Sequence, residues 1–591
     1  MDPASLTDRA RAWLTQDPDP RTRAQVEQWL KADDRPALRA AFDGRVAFGT
    51  AGLRAEVGPG PTRLNALVIR QSAAGVARVL AAAGAAGQAV AVGFDGRLDS
   101  AAWAQQAVGV LRAHGHPVAL LEAPAPTPLT GFWIKRHDLC AGLVVTASHN
   151  PPGDNGLKIY WAGGAQIAPP TDAAIAAAID QVASAPAPVP FLPADAPGPP
   201  VSLVHDQALS AYATALTAQF GRPRTPQRPV RLAYTPLHGV GAVAAARALV
   251  GAPVASFDVV DSQRTPDGHF PTVRSPNPED ADSLSALLAL ARERQADLAC
   301  ANDPDADRLA LAVRDATGDY RLLTGDELGL VFAQHLLAQA PEPARVQLAS
   351  SCVSSQRLAH LCADVGAAHC STLPGFKWLA QAMRAAGQRG REPLFAYEEA
   401  LGFMPGSLVW DKDGISSLRL AVEIAAVWHA RGQTLLDALR ELHQRVGLSV
   451  TRQATLRIAG AKAGEAGGRA AALMRALRAQ RPRHVGAFAL ERVDDGLAGD
   501  GHGTFAGLPN SDALALHLRP RETTADDLSV RIVLRPSGTE PKLKAYYEAL
   551  SNAVASDQWQ ARRAAMGQQL DELMRAHGTQ VAQAAAAESP R

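Results

Sequence analysis

Apolar residues along this chain recur with two periods. Short runs rich in Val, Ala and Leu have the length of strands, and between them lie longer stretches whose apolar positions return at helical spacing. QAVAVGF (88–94) is followed by the helical stretch AAWAQQAVGVLRAHG, then by HPVALLEA and by LCAGLVVTAS (139–148). Further on, VRLAYTP (230–236) precedes VGAVAAARALV, and ADLACAND (296–303) follows the helical ALLALARER. This βαβ rhythm predicts an α/β fold of parallel or mixed sheets covered by helices, repeated through most of the chain. The first forty residues read as helix: Asp19 before Pro20 is a cap and first-turn signal, and TRAQVEQWLKA continues with helical periodicity. In such sheets ligands bind beyond the C-terminal ends of the strands, and the polar motifs of this chain fall there.

Three breaks interrupt the pattern. Seven prolines between Pro186 and Pro200 read as a linker or surface strap. TGDY near 320 reads as a turn after a strand pair, and near 446–452 a long helix gives way to TRQATLRIAG. With 591 residues, about three to five domains are expected. The breaks divide the chain into a helical extension (1–40) and segments 41–205, 206–320, 321–447 and 448–591.

Composition narrows the function classes. A net charge of +1 gives no basic surface for nucleic acid or for an acidic membrane. No apolar run approaches the roughly 20 residues that span a bilayer, and the opening MDPASLTDRARAWL lacks a signal-peptide core. The five cysteines show no CxxC pair and no zinc spacing, which fits reduced, mostly buried thiols. A cytoplasmic protein with no membrane, nucleic-acid or obligate protein partner is expected.

Three segments carry candidate chemistry. In VVTASHNPPGDNGLKIYW (144–161) a β-branched strand ends at Thr146, and a polar loop then presents Ser148, His149 and Asn150 before two prolines. A serine hydroxyl is a poor nucleophile unless a base, a metal or a positive field activates it, and a lone turn serine is more often a cap. No GxSxG elbow surrounds Ser148, and His149, its immediate neighbour, need not point the same way. In ANDPDADRLAL (301–311), Asp303, Asp305 and Asp307 alternate directly after an apolar strand. Three carboxylates that close call for a hard cation, and an all-oxygen set favours Mg²⁺ over zinc. An EF-hand is excluded, because Arg308 and Arg314 stand where its glycine and its glutamate belong. Arg308 itself suits a phosphate. In RPSGTEPKLKAYYE (535–548), Arg535 with Ser537, Gly538 and Thr539 supplies a fixed charge, two hydroxyls and free N–H groups, the parts of an anion nest. No P-loop pattern is present.

Three further segments complete the set. AFGTAGLRAEVG (47–58) is punctuated by glycines and carries Arg54. AYEEALGF (396–403) offers Glu398 and Glu399, either an acid/base or sugar-binding pair or the charged start of a helix. DKDG (411–414) adds Lys412, a phosphate ligand or a turn residue.

Taken together these segments resemble the α-D-phosphohexomutase superfamily. The order FGTAGLR, TASHNPPGDNGLK, DPDADR, EEALG, RPSGTEPK spans residues 48–542, and the extended opening is most similar to the branch holding bacterial phosphoglucomutases and animal phosphopentomutase-type enzymes. The resemblance implies three related α/β mixed-sheet domains and a smaller C-terminal α+β domain around a central cleft. In order they would carry the phosphoserine, metal-binding, sugar-recognition and phosphate-binding loops. It implies that Ser148 carries phosphate and, with Asp303, Asp305 and Asp307, holds Mg²⁺. It further implies that Lys158 is a candidate general acid/base, and that Arg54, His149 and Arg308 surround the transferring group. Glu398, Glu399 and Lys412 would meet the sugar phosphate, and Arg535, Ser537, Gly538 and Thr539 its non-reacting phosphate. The implied reaction interconverts glucose 1-phosphate and glucose 6-phosphate through glucose 1,6-bisphosphate. Mannose or pentose phosphates, or bisphosphate synthesis, are alternatives on the same fold; a phosphatase and a non-catalytic sugar-phosphate sensor are more distant ones. Phe403 stands where mannose-active relatives carry histidine, which leans away from mannose.

Overall fold

The computed structural model describes residues 5–46, 48–49, 52–220, 228–457, 466–498, 503–522, 527–536, 542–552 and 554–587. Its contacts divide the chain into two compact units, one of residues 1–322 and 400–432, the other of residues 323–399 and 433–591.

The first unit opens with three short helices, Leu6–Leu14, Pro20–Ala32 and Arg35–Phe42. As the sequence predicts, Asp19 caps the second: its carboxylate accepts from the Arg21 N–H at 2.9 Å. Trp13, Val26, Leu38 and Phe42 of these helices form a core that extends onto Leu67 of the helix Ala66–Ala82.

Beyond them lies an eight-stranded mixed sheet. Strands Val118–Leu120, Val90–Phe94 and Ala141–Val145 run parallel, buried on both faces by helices, which explains their uninterrupted apolar character. Asp154–Trp161 then pairs antiparallel with Ala141–Val145, and Gly52–Glu56 antiparallel with it. That last pairing depends on Gly52, whose φ is +99° and where a β-carbon would sit 2.2 Å from the Leu157 carbonyl oxygen. Only glycine lets the strand lie so close, and its register brings Arg54 opposite Gly156, two residues from Lys158. The proline-rich stretch is a strap: Arg112 donates to the carbonyls of Pro193, Ala194, Ala196 and Pro199, and the Arg70 guanidinium lies 4.0 Å from the Phe191 ring centroid.

A five-stranded sheet follows. Val254–Val259, Val230–Thr235 and Leu298–Ala301 are parallel, with Ala310–Arg314 and Tyr320–Leu322 antiparallel at one edge. The turn at 315–319 joins the last two strands, so the sheet ends slightly later than TGDY suggests: Tyr320 begins a strand. Segment 400–432, which the sequence pattern groups with its flanks, packs here. Its helix Gly414–Ala430 is capped by Asp413, which also accepts from the buried Tyr212 hydroxyl at 2.6 and 2.7 Å. The wholly buried Arg419 of that helix pairs with Glu423 and donates to the carbonyls of Ala248 and Val250.

The second unit holds parallel strands in the order Ala368–Thr372, Val346–Ser351, Glu392–Glu398. It also holds a six-stranded antiparallel sheet, Leu448–Arg457, Lys542–Ser551, Ser529–Pro536, Leu514–Pro520, Phe488–Asp495, His484–Val485, with helices Ala466–Ala479 and Trp559–Ala587. All five cysteines are free thiols, four of them buried. Among the described residues no helix is long and apolar enough to cross a membrane.

Candidate active site

Ser148 lies just past the strand Ala141–Val145, 1% exposed and in the left-handed region at φ +54°. Thr146 sets that turn. Its hydroxyl accepts the Ser148 N–H at 2.8 Å and donates to Asp95 at 2.6 Å. The Ser148 hydroxyl in turn donates to Asp303 Oδ2 at 2.5 Å and lies 3.2 Å from His149 Nδ1. Adjacent in sequence, His149 does share the serine's direction, because the left-handed residue between strand and loop breaks the strand's alternation. Its other ring nitrogen faces Arg308 Nη2 at 3.5 Å.

The carboxylates of Asp303, Asp305 and Asp307 are buried and offer ligand atoms all within 4.8 Å of one another. Gly414 makes room for their loop: a β-carbon there would sit 2.3 Å from the Arg308 carbonyl oxygen. Lys158 donates to Asp305 Oδ2 and to Asp307 Oδ2, both at 2.6 Å, and Lys412 reaches Asp307 Oδ2 at 3.1 Å. Thr127 donates to Asp305 at 2.6 Å, and the Arg308 N–H to Asp303 at 3.0 Å. Oδ1 of Asp305 and Oδ1 of Asp307 are buried and have no hydrogen-bond partner among the described residues. Two orphaned carboxylate oxygens in one cluster are compatible with binding a hard divalent cation such as Mg²⁺.

Electrostatics separate the three acids. Burial, then Asp307 and Asp305, raise the Asp303 pKa well above the usual carboxylate range. Burial also works against ionisation of the other two, but Lys158 outweighs it, aided at Asp307 by Lys412 and Arg308, and both stay below the ordinary value. Lys158 shows the converse: burial lowers its pKa, yet Asp305, Asp307 and Asp411 together raise it above the ordinary lysine value. Proton acceptance by a lysine at neutral pH requires a lowered pKa; in this arrangement Lys158 is a cation that neutralises the cluster.

In the second unit, Glu398 ends the strand Glu392–Glu398 and accepts the Gly375 N–H at 2.5 Å, so EEALG is a strand end and not a helix start. Glu399 accepts from the hydroxyls of Ser351 and Ser354, at 3.1 and 3.2 Å. Burial, then Glu398 and Asp326, push it up to about 7. Arg535 lies on the strand Ser529–Pro536 in register with Lys544. Ser537, Gly538 and Thr539 fall outside the described residues.

Asp326, 5% exposed, accepts from the Ser355 N–H at 2.6 Å and the Tyr397 hydroxyl at 3.0 Å. Burial, and next Glu548, raise its pKa to about 6. A raised carboxyl stabilises the fold fully below the unfolded pKa of about 4 and loses that contribution as pH rises through the folded value. Asparagine keeps an acceptor there without the charge. The stability of Asp326→Asn relative to wild type is therefore expected to improve by about 1 kcal/mol between pH 5 and pH 8. Urea unfolding of both proteins at the two pH values checks this; a difference independent of pH refutes it.

Residues 45–185, 210–318 and 324–446 match alpha/beta/alpha domains I, II and III of phosphoglucomutase/phosphomannomutase, and residues 523–565 match its C-terminal domain. The chain belongs to the phosphoglucomutase/phosphomannomutase family. It is thus an α-D-phosphohexomutase superfamily member with the four-domain architecture of three mixed α/β domains and a smaller C-terminal one. It is 34% identical over 468 residues to the phosphopentomutase of Mus musculus, covering 76% of this chain and 75% of that protein. With the phosphoglucomutase of Staphylococcus aureus (strain USA300) it shares 30% identity over 518 residues, 86% of this chain and 90% of the relative. The crystal structure of a phosphoglucomutase/phosphomannomutase family protein from Burkholderia thailandensis has the same fold. The TM-score is 0.61 at 20% identity, over 89% of this chain and 96% of that one.

Within this family member, the first unit gathers Ser148, His149, Lys158, Arg308, Lys412 and the three aspartates, with Arg54 Nη1 3.3 Å from Asn150 Oδ1 at the loop's edge. Lys412, expected at the sugar phosphate, also braces the aspartates, because the turn that carries it folds back on Asp307 and on Asp411. Asp411 is itself held by the Tyr160 hydroxyl at 2.6 Å and the Gln166 amide at 2.7 Å. Sequence reasoning missed Asp95, Thr127 and Asp411. Asp95 follows the apolar strand Val90–Phe94 directly, the same strand-end signal that exposed the three aspartates. Thr127 opens a helix and carried no signal.

Proposed function

We propose that the chain is a phosphosugar mutase. Phospho-Ser148 gives its phosphoryl group to a hydroxyl of a sugar monophosphate, and the resulting bisphosphate returns its other phosphate to Ser148. The observation that carries this reading is the seat of the Ser148 hydroxyl, 2.5 Å from Asp303 in a buried cluster of three carboxylates, two of them paired with lysines. In the first half-reaction a sugar oxygen forms a bond to phosphorus as the bond to Ser148 Oγ breaks; in the second, Ser148 Oγ forms the bond to phosphorus as the other sugar oxygen leaves. The proton of the sugar hydroxyl ends on Oγ in the first and leaves Oγ for the departing sugar oxygen in the second, and His149 Nδ1 and Asp303 Oδ2 are the groups in reach of Oγ. Phosphoryl transfer asks the protein mainly for positioning and for charge neutralisation, and Arg54, Arg308, Lys158 and Lys412 suit that task. Mg²⁺ held by Asp303, Asp305, Asp307 and a Ser148 phosphate oxygen would supply Lewis-acid polarisation of the phosphoryl group. Glu398 and Glu399 would hydrogen-bond the sugar, and Arg535 with Ser537, Gly538 and Thr539 would hold the far phosphate.

Glucose phosphates, passing through glucose 1,6-bisphosphate, are the first substrates to test. The greater identity to a phosphopentomutase supports a second reading, a pentose phosphate. Purified protein with Mg²⁺ and a trace of glucose 1,6-bisphosphate is expected to isomerise glucose 1-phosphate or ribose 1-phosphate without releasing phosphate. The ratio of kcat/KM between them, and for mannose 1-phosphate, assigns the sugar. Stoichiometric phosphate release would make the protein a hydrolase, and silence on all three sugars a sensor.

A further inference from the structure

One buried arginine grips the loop that carries Ser148. Arg97, 5% exposed, stands in the turn after the strand Val90–Phe94. Its Nη1 donates to the carbonyls of Pro151 and Asp154, both at 2.9 Å, and its Nη2 to those of Ser148 at 2.6 Å and Asn150 at 2.5 Å. The four Nη hydrogens of a guanidinium thus meet four carbonyl oxygens of a single loop, and the remaining donor nitrogen, Nε, lies 3.5 Å from the Asp95 carboxylate.

The loop needs such a grip. Pro151 and Pro152 give it no N–H donors at their positions, and Ser148 occupies the left-handed region, which costs a non-glycine residue about 1 kcal/mol. On the opposite side of Ser148, its N–H bonds to Thr146 Oγ1, which bonds to Asp95. Asp95 also accepts the Arg97 N–H at 3.0 Å. Both backbone groups of Ser148 are therefore tied to one short turn, the N–H through Thr146 and Asp95, the carbonyl directly to Arg97. The Phe270 ring, its centroid 5.1 Å from the guanidinium carbon, covers the arginine.

We propose that Arg97 is the positioning residue of the phosphate-carrying serine. It aims Ser148 Oγ by fixing the carbonyls of residues 148–154, and so acts on the transfer step and not on sugar binding. This assignment rests on the phosphoserine reading above. A planar fork is essential to it: lysine keeps the charge and the stem but cannot present four fixed donors.

The test compares wild type, Arg97→Lys and Arg97→Ala, each confirmed folded by circular dichroism, in the mutase assay with Mg²⁺. Misplacing a reacting atom by an ångström costs on the order of 100-fold, so kcat is expected to fall about 100-fold in both variants while KM for the sugar phosphate stays within about threefold. Added guanidinium chloride is expected to restore activity to Arg97→Ala, and to do nothing for Arg97→Lys, whose side chain fills the space. An active Arg97→Lys, a loss confined to KM, or failure of both variants to fold would overturn the assignment and leave Arg97 a structural residue. Wild-type protein that isomerises no sugar phosphate would instead sink the mutase reading, and the assignment with it.

Discussion

Ser148→Ala is expected to abolish isomerisation, leaving below about 10⁻⁴ of wild-type kcat. The hydroxyls of Thr127, Thr146 and Tyr160, in the same unit near the cluster or its loop, also donate to carboxylates. The Ser148 hydroxyl is held both at the aspartate cluster and at a histidine nitrogen. The variant should fold, because alanine at φ +54° is strained about as much as serine, and the Ser148 N–H bond to Thr146 is a backbone bond. Two readouts separate the competing functions. Intact mass after incubation with glucose 1,6-bisphosphate should show one added phosphate on wild type and none on the variant. Isomerase activity should vanish while the melting temperature holds. Retained activity in Ser148→Ala would refute the phosphoserine scheme outright. Loss of activity together with wild-type protein that never carries phosphate would refute the covalent step alone.

The legible parts of this site share one physical feature: they follow apolar strands. A buried parallel strand must be written in apolar residues, so the first polar residues beyond its end stand out, and ligand loops in α/β sheets lie there. That is why Ser148 after Ala141–Val145 and the aspartates after Leu298–Ala301 could be read without coordinates. Asp95 and Arg97 follow Val90–Phe94 in the same way, but FDGR looks like an ordinary turn until its four carbonyl partners are seen, and those lie more than fifty residues away. The position of Lys412 was illegible for a related reason. Its turn is local in sequence, whereas the contact it makes depends on how segment 400–432 packs, which no periodicity encodes. Phe403, read as a clue to the sugar, is fully buried in the short strand Gly402–Pro405. An apolar side chain in a core satisfies packing, so that position now speaks less to substrate than its place in the motif suggested. The helical extension, the proline strap and the cap at Asp19 were all legible because each is a local signal of proline or of capping chemistry.

Lys158→Met is expected to make the stability of the first unit depend on Mg²⁺. Lys158 is the cation shared by Asp305 and Asp307, at 2.6 Å from each, inside a cluster where all three carboxylates are buried. Removing one partner of a buried ion pair costs about 3–5 kcal/mol, because the remaining charge is left without compensation. At about 1–1.5 °C per kcal/mol for a unit of this size, the melting temperature in EDTA should fall by about 5 °C. Millimolar Mg²⁺ should recover most of that loss, since a ligand that binds only the folded state stabilises it by mass action, and the carboxylates freed by the substitution are better ligands than those bound to lysine. Wild type should gain less from the same Mg²⁺, because Lys158 already neutralises the cluster. Lys412→Met is the control. It leaves Lys158 in place and removes a cation 3.1 Å from Asp307 and 3.7 Å from Asp411, farther than the 2.6 Å of the Lys158 pairs, so its fall in EDTA should be the smaller of the two. Differential scanning fluorimetry of the three proteins in EDTA and in Mg²⁺ decides the matter. If Lys158→Met melts like wild type in EDTA, the aspartates are not held ionised by that lysine, and Lys158 becomes free to serve as the proton carrier that the family resemblance suggests.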